Sequence, residues 1–200
     1  TFTNRRAKKN GGYEYFLDTD YVGDVTNLLT YSEDFDNAVW DKGSGAAISV
    51  NATLSPNNDL SADKYYVLSS NNAGAQIQHT LTTVNSTSYT ISVYAKAAEV
   101  KFLQILLPPN VLAGNPVVNF DLIDGGINHI GTGFQGKIEN TGNGWFKCSA
   151  SFTSVDVSTN FLIGMGDGLN SSWAVGFQKA VGDGLYLWGA QVTQSAKVLP

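Results

Sequence analysis

The sequence has few charges, a single cysteine and no long apolar run, and each shortage excludes a class of protein. Charged residues make up 14% of the 200 residues, against about 25% in typical soluble domains. The formal net charge of −5 argues against nucleic-acid binding, which requires a basic face. Cys148 has no partner for an intrachain disulfide, so we expect a small core residue rather than a reactive thiol. No stretch approaches the roughly 18 consecutive apolar residues of a membrane span, so we expect no membrane insertion.

The common motifs of enzymes are also missing. There is no G-x-S-x-G elbow and no Walker loop, and 164–168 (GMGDG) is predicted to be a turn, since no helical pattern follows it. Neither His79 nor His129 lies in a zinc-binding spacing, and a core or turn position suits them better than a catalytic one. Whether two carboxylates face each other as in glycoside hydrolases is decided by spatial separation, which the sequence does not give. We expect no enzyme activity and no cofactor.

The sequence does contain a series of short runs in which apolar and polar residues alternate. In 142–152 (GNGWFKCSASF) one face carries Phe146, Cys148, Ala150 and Phe152, and in 89–96 (YTISVYAK) the alternation is equally regular. A period of two with one apolar face is typical of a half-buried strand. Clusters of Gly, Asn, Asp and Ser separate the runs. Together they predict an all-β protein, a two-sheet antiparallel jelly-roll β-sandwich.

Two stretches need a choice between interpretations. Residues 95–107 (AKAAEVKFLQILL) have high helix propensity, but the alternation before them and the prolines after them favour strand, loop and strand. Residues 185–192 (LYLWGAQV) are apolar on both faces until Gln191, which predicts a central strand.

The chain is predicted to contain one domain with an extension. Residues 1–26 differ in character, with a basic cluster at 5–9 followed by aromatic and acidic residues, and are interpreted as an N-terminal connector. Residues 27–200 then form the sandwich domain.

Sugar binding would require aromatic faces that stack on pyranose rings and flanking polar groups that bond the hydroxyls. Trp173 follows a polar loop and is the first candidate for an exposed platform. Tyr94, Lys96 and Gln104 are predicted to project from adjacent strands onto one face. These four residues are the predicted ligand-binding site.

The other tryptophans are predicted to be mainly structural. We expect Trp40 and Trp188 to be structural, and Trp145 lies on the polar side of its strand, where we expect it to fold over the turn or seal the sheet edge.

Five blocks in order carry a resemblance to a known family. They are 27–40 (NLLTYSEDFDNAVW), 61–65 (SADKY), 89–97 (YTISVYAKA), 142–152, and 184–192 (GLYLWGAQV). The set resembles a jelly-roll module common at the C-terminal ends of bacteriophage tail and other virion proteins, which is similar to carbohydrate-binding modules of the family 4 kind. The resemblance covers roughly 27–193, and the stretch 1–23 looks like the lead-in to such modules. It implies two antiparallel sheets, a virion location, and a sugar-binding or assembly role.

Related carbohydrate-binding jelly rolls often hold a structural calcium between a glutamate near the first strand and an aspartate in the last. Glu33 matches the first ligand, but 185–192 has no acidic residue, and Asp183 with backbone carbonyls is the obvious substitute. Calcium needs several oxygen ligands, so we expect no metal.

Three functions follow, in order of preference. The first is a phage tail or tail-fibre module that binds a host-surface polysaccharide, acting as an oligomer beside other virion proteins. The second is a purely structural capsid or tail module without sugar binding. The third is the binding domain of a polysaccharide-degrading enzyme.

Overall fold

A computed structural model describes residues 26–69, 75–107, 117–155, 159–168 and 179–195, together with the backbone of 6–9 and 12–15. Within these ranges the chain forms fourteen β-strands and no helix, and therefore no helix able to span a membrane. The prediction of an all-β protein is confirmed.

The strands form one hairpin and two six-stranded antiparallel sheets. The hairpin pairs β1 (Arg6–Lys9) with β2 (Gly12–Tyr15). In spatial order, sheet I contains β10 (Ile127–Ile130), β9 (Val117–Asp121), β8 (Phe102–Leu106), β13 (Thr159–Gly166), β6 (Gln76–Leu81) and β3 (Trp40–Asp41). Sheet II contains β11 (Phe134–Gly142), β12 (Trp145–Thr153), β7 (Ser88–Ala97), β14 (Gly184–Ser195), β5 (Ala62–Val67) and β4 (Ala46–Thr53). The predicted two-sheet antiparallel sandwich is confirmed.

The alternation along the strands builds the core between the two sheets. In β12, the face carrying Phe146, Cys148, Ala150 and Phe152 is buried in one large apolar cluster. Residues from β8, β9 and β13 of sheet I belong to the same cluster. Burial of apolar area is the main favourable term in folding, so this cluster holds the two sheets together.

The stretch 95–107 forms strand, loop and strand, as the alternation predicted. β7 ends at Ala97 and β8 begins at Phe102, and the loop between them carries the chain from sheet II to sheet I. Apolar alternation on both sides of the loop therefore outweighs the helix propensity of the residues in it.

β14 is a central strand, also as predicted. It pairs with β7 on one side and β5 on the other. A bulge interrupts its pairing with β7 between Trp188 and Gln191, where Gly189 has a φ of 59°. Glycine takes this left-handed conformation without a steric penalty, which permits the extra residue.

The Asn27 side chain, together with backbone bonds of Leu28 and Ser32, joins the N-terminal end of the described domain to β14. The Asn27 Oδ1 accepts from the amides of Leu29 (3.1 Å) and Val192 (3.0 Å). Its Nδ2 donates to the Ser32 Oγ (2.7 Å) and to the Ala190 carbonyl (3.3 Å). All four hydrogen-bonding positions of the amide are therefore used. Of the predicted 1–26 connector, the structure describes the hairpin backbone and Thr26, so the domain boundary at 26 stays a prediction.

Within the described ranges, neither histidine belongs to a group of His, Cys, Asp or Glu side chains that could hold a metal ion. His79 is 8% exposed and packs its ring against Trp40, at 4.9 Å between centroids, and against Phe161. Its Nδ1 lies 2.8 Å from the Thr80 carbonyl. His129 lies on β10, at the end of sheet I. His79 is thus a core residue.

Candidate functional site

The outer face of sheet II brings together aromatic rings and lysines. Since side chains alternate along a strand, the residues between the core positions of β12, β7 and β14 point away from sheet I. In register, Lys147 of β12 lies opposite Tyr94 of β7, and Tyr94 lies opposite Trp188 of β14. In the next row, Lys96 lies opposite Tyr186. We refer to these five residues as the aromatic–lysine face.

The rings of this face are in direct contact. Tyr94 and Trp188 meet edge to face, with centroids 5.4 Å apart and planes inclined by 65°. The Lys147 Nζ lies 5.8 Å from the centroid of Tyr94, within the range of a cation–π contact. All three side chains are partly exposed. A row of half-buried side chains, cationic at one end and aromatic at the other, therefore crosses three strands.

The segment 54–61, between β4 and β5, bonds to Trp188 of this face and to Trp145 at the start of β12. The Trp188 Nε1 donates to the Ser61 Oγ (3.0 Å), and the Trp145 Nε1 donates to the Leu54 carbonyl (3.1 Å). Asp59 accepts from the hydroxyls of Ser55 and Ser61, and these bonds, Ser55 first, lower the pKa of its carboxyl. The segment thus fixes the orientation of both indoles.

Trp145 is 1% exposed, and it lies outside the main core cluster. It alternates with the core residue Phe146, so it does lie on the outer side of its strand. Its burial agrees with the expectation that it is mainly structural, while the expectation that it folds over the turn or seals the sheet edge stays a prediction. The Leu54 carbonyl of the segment 54–61 accepts its indole proton, and Trp145 offers no exposed platform.

Ion pairing differs among the lysines of sheet II. The Lys64 Nζ lies 2.9 Å from the Glu99 Oε2, and the Lys64 hydrogen bond lowers the pKa of that carboxyl. At the edge of the sheet, Lys137 pairs with Glu139 at 3.1 Å. In the part of the chain that the structure describes, neither Lys96 nor Lys147 forms an ion pair.

The structure separates Gln104 from the other predicted site residues. Tyr94 and Lys96 lie on β7 in sheet II, whereas Gln104 lies on β8 in sheet I and is 1% exposed. The prediction that the three project from adjacent strands is wrong, because the chain changes sheets between β7 and β8. Gln104 instead packs across Gly166, where a Cβ atom would lie 3.1 Å from its Cγ. That contact explains the glycine at position 166. Since β13 ends at Gly166, residues 164–166 belong to a strand and not to the predicted turn.

The remaining sequence candidates have different outcomes. Trp173 lies outside the described residues. Trp40 is buried in the core, as predicted. Trp188, predicted to be mainly structural, is partly exposed on the same face as Tyr94. Lys147 and Tyr186 were missed, although the alternation of β12 and β14 places both outward.

The two acidic residues weighed as calcium ligands do not come together. The Asp183 Oδ2 accepts from the Ala180 amide at 3.1 Å, immediately before β14 begins. Glu33 follows Ser32, whose carbonyl accepts from Ala190 further along β14. Six residues of strand separate 184 from 190, about 20 Å at 3.3 Å per residue. Among the described residues, no group of three or more His, Cys, Asp or Glu side chains could hold a metal ion.

Comparisons with known proteins assign no family to this chain. No protein-family model matches the chain, and no curated protein matches it. Among solved structures, the enzymatically active domain of tailspike protein 4 from bacteriophage CBA120 matches with a TM-score of 0.44 and 11% identity. The match covers 84% of this chain and 21% of the tailspike chain, so this chain spans about a fifth of the length of that protein.

Proposed function

We propose that this chain is a module of a phage virion, carried on a tail or tail fibre, that binds a host-surface glycan through the aromatic–lysine face. The observation that carries the proposal is the row formed by Lys147, Tyr94 and Trp188 across three neighbouring strands. The virion assignment rests on the five sequence blocks that resemble modules of phage tail proteins.

The chemistry of the row suits a pyranose ring. The partly exposed rings of Tyr94 and Trp188 offer apolar surface to the C–H face of a sugar. Gln191 lies in the adjoining row, is exposed, and provides an amide group for sugar hydroxyls. The role is binding without catalysis.

The rings are also held in place before any ligand arrives. The bond from Trp188 to Ser61 and the ring contact with Tyr94 fix the indole in one orientation. A preorganised site loses less side-chain entropy on binding. Display of several copies on one virion would add avidity to a weak single site.

The test is binding of the labelled 200-residue chain to candidate host cells and to their purified surface polysaccharides. Trp188→Leu retains apolar volume without an aromatic face, and we expect it to bind at least about tenfold more weakly, from the loss of roughly 1.4 kcal/mol of stacking. Tyr31→Ala removes an exposed aromatic side chain outside the aromatic–lysine face and serves as the control. Circular dichroism verifies that both variants fold.

The result also separates the proposal from an assembly role. Saturable binding that free oligosaccharide competes away supports the proposal. Unchanged binding by Trp188→Leu removes the aromatic–lysine face from the site. Absence of binding, even when the chain is displayed multivalently, overturns glycan recognition and leaves a structural role in the virion.

A further inference from the structure

The charge of the aromatic–lysine face is opposite to that of the chain. The protein carries a net charge of −5, yet Lys64, Lys96 and Lys147 occupy three different strands on the outer side of sheet II. Lys64 is neutralised by Glu99. Lys96 and Lys147 are the two cations of this face that lack an ion-pair partner among the described residues.

The absence of a partner for Lys147 is a result of local geometry. Glu139 lies directly opposite Lys147 in the pairing of β11 with β12. Its carboxylate nevertheless bonds to Lys137, two residues away on its own strand. The Lys147 ammonium lies instead over the ring of Tyr94, which leaves its charge directed toward the aromatic row.

Lys96 is placed to act with Lys147. The two lysines are diagonal neighbours on adjacent antiparallel strands, a relation that separates side chains by about 7–8 Å. The stem of Lys96 lies along the turn before β12, since a Cβ atom on Gly144 would be 3.4 Å from its Cε. The Lys147 ammonium therefore lies over Tyr94, and the Lys96 side chain extends from the next row toward the turn before β12.

We propose, resting on the function proposed above, that the ligand is an acidic polysaccharide whose sugar rings carry carboxylates. A carboxylate is attached at the edge of a pyranose ring. When that ring stacks on Tyr94 or Trp188, the carboxylate lies beside the aromatic side chain, where Lys147 donates a charge-assisted hydrogen bond to it and Lys96, in the next row, adds a second positive charge. A neutral sugar would leave both ammonium groups without an anionic partner.

The experiment begins with an array of bacterial surface polysaccharides, neutral and acidic, probed with the full chain. The best acidic binder is then compared with the same polymer after chemical reduction of its carboxylates to alcohols. We expect reduction to weaken binding at least tenfold. We also expect binding of the native polymer to fall steeply as the salt concentration rises, because exposed charges are screened.

The variants assign the effect to residues. The double variant Lys96→Gln/Lys147→Gln is expected to lose at least tenfold in affinity for the acidic polymer and most of the salt dependence. Lys101→Gln removes the same charge from an exposed position before β8, in the other sheet, and is expected to bind within about twofold of the parent. Circular dichroism spectra establish that each variant is folded.

The outcomes distinguish this inference from the function on which it rests. Selection of neutral polymers, with no effect of the double lysine variant, overturns the acidic ligand while glycan binding stands. Equal binding before and after carboxylate reduction does the same. Failure to bind any polymer on the array overturns both proposals.

Discussion

Replacing Asn27 by alanine tests whether one side-chain amide holds the start of the domain to its central strand. The substitution removes four hydrogen bonds, two of which satisfy the backbone amides of Leu29 and Val192. The other two reach the Ser32 hydroxyl and the Ala190 carbonyl. Two of these partners lie on β14, more than 160 residues further along the chain, so the amide closes a long loop.

The expected loss follows from the number of bonds and from the exposure of the site. A typical intramolecular hydrogen bond contributes about 1 kcal/mol net, so four bonds set an upper limit near 4 kcal/mol. Asn27 is only partly buried, and water will replace some of these partners. We therefore expect the free energy of unfolding to fall by about 2–3 kcal/mol and the Tm to fall by about 4–12 °C.

The assay is urea unfolding followed by tryptophan fluorescence, with a thermal melt as a second measurement. Asn27→Asp retains both acceptor bonds and loses both donor bonds, so we expect roughly half the loss of Asn27→Ala. Asn37→Ala is the matched control, because the side-chain bonds of Asn37 are to Asp34 and Val39, within its own turn. A loss below about 0.5 kcal/mol for Asn27→Ala would refute the reasoning, as would equal losses for the two alanine variants.

Three further predictions concern the core and the sheets. Burial raises the pKa of the Cys148 thiol, so we expect a thiol reagent to label the protein only as fast as it unfolds, and rapid labelling in the native state would contradict this. Burial also raises the pKa of the Asp63 carboxyl, which favours its neutral form in the folded state. The contribution of Asp63 to the free energy of unfolding is therefore greatest at low pH and declines as the pH rises through the pKa of the folded state. In urea unfolding, the parent should become more stable relative to Asp63→Asn as the pH is lowered from 7 to 4. Gly184→Ala would place a Cβ atom against the Tyr65 carbonyl oxygen across the β5–β14 pair, and we expect a loss of at least about 3 kcal/mol in the same assay. A Cβ atom on Gly126 would meet only the Asn128 Oδ1, at 4.0 Å, so Gly126→Ala should change stability little.

The sequence predicted strand identity well because a strand leaves a local pattern. The alternation in β12 correctly placed Phe146, Cys148, Ala150 and Phe152 in the core. The apolar character of both faces of 185–192 correctly predicted a central strand. Both conclusions depend only on neighbours along the chain and on the period of two.

The membership of each sheet was not predictable in the same way. Tyr94 and Gln104 each alternate with core residues on their own strands, so both were expected to point outward. The alternation does not reveal that the chain crosses from one sheet to the other between them. Two outward residues on consecutive strands can therefore lie on opposite surfaces of the molecule.

The covering of Trp145 depends on tertiary structure as well. Its position on the polar side of β12 was read correctly, but its indole proton bonds to the Leu54 carbonyl, 91 residues earlier in the chain. The opposite error occurred at Trp188: the apolar residues around it predicted a structural role, yet its ring is partly exposed. The composition of a strand indicates its faces, whereas what covers each face depends on the path of distant segments.

The position of β14 also has a consequence for how the protein folds. β5 and β7 both pair with β14 and not with each other. Until β14 has been synthesised and inserted, sheet II consists of two separate halves, β11-β12-β7 and β5-β4, each with an open edge facing the gap. Unpaired edges invite association between chains, and closing the pairing of β5 with β14 joins residues that are far apart in sequence, which is slow. The edges of β7 and β5 therefore stay exposed in the nascent chain until β14, the last described strand, pairs with both. During that interval aggregation competes with folding.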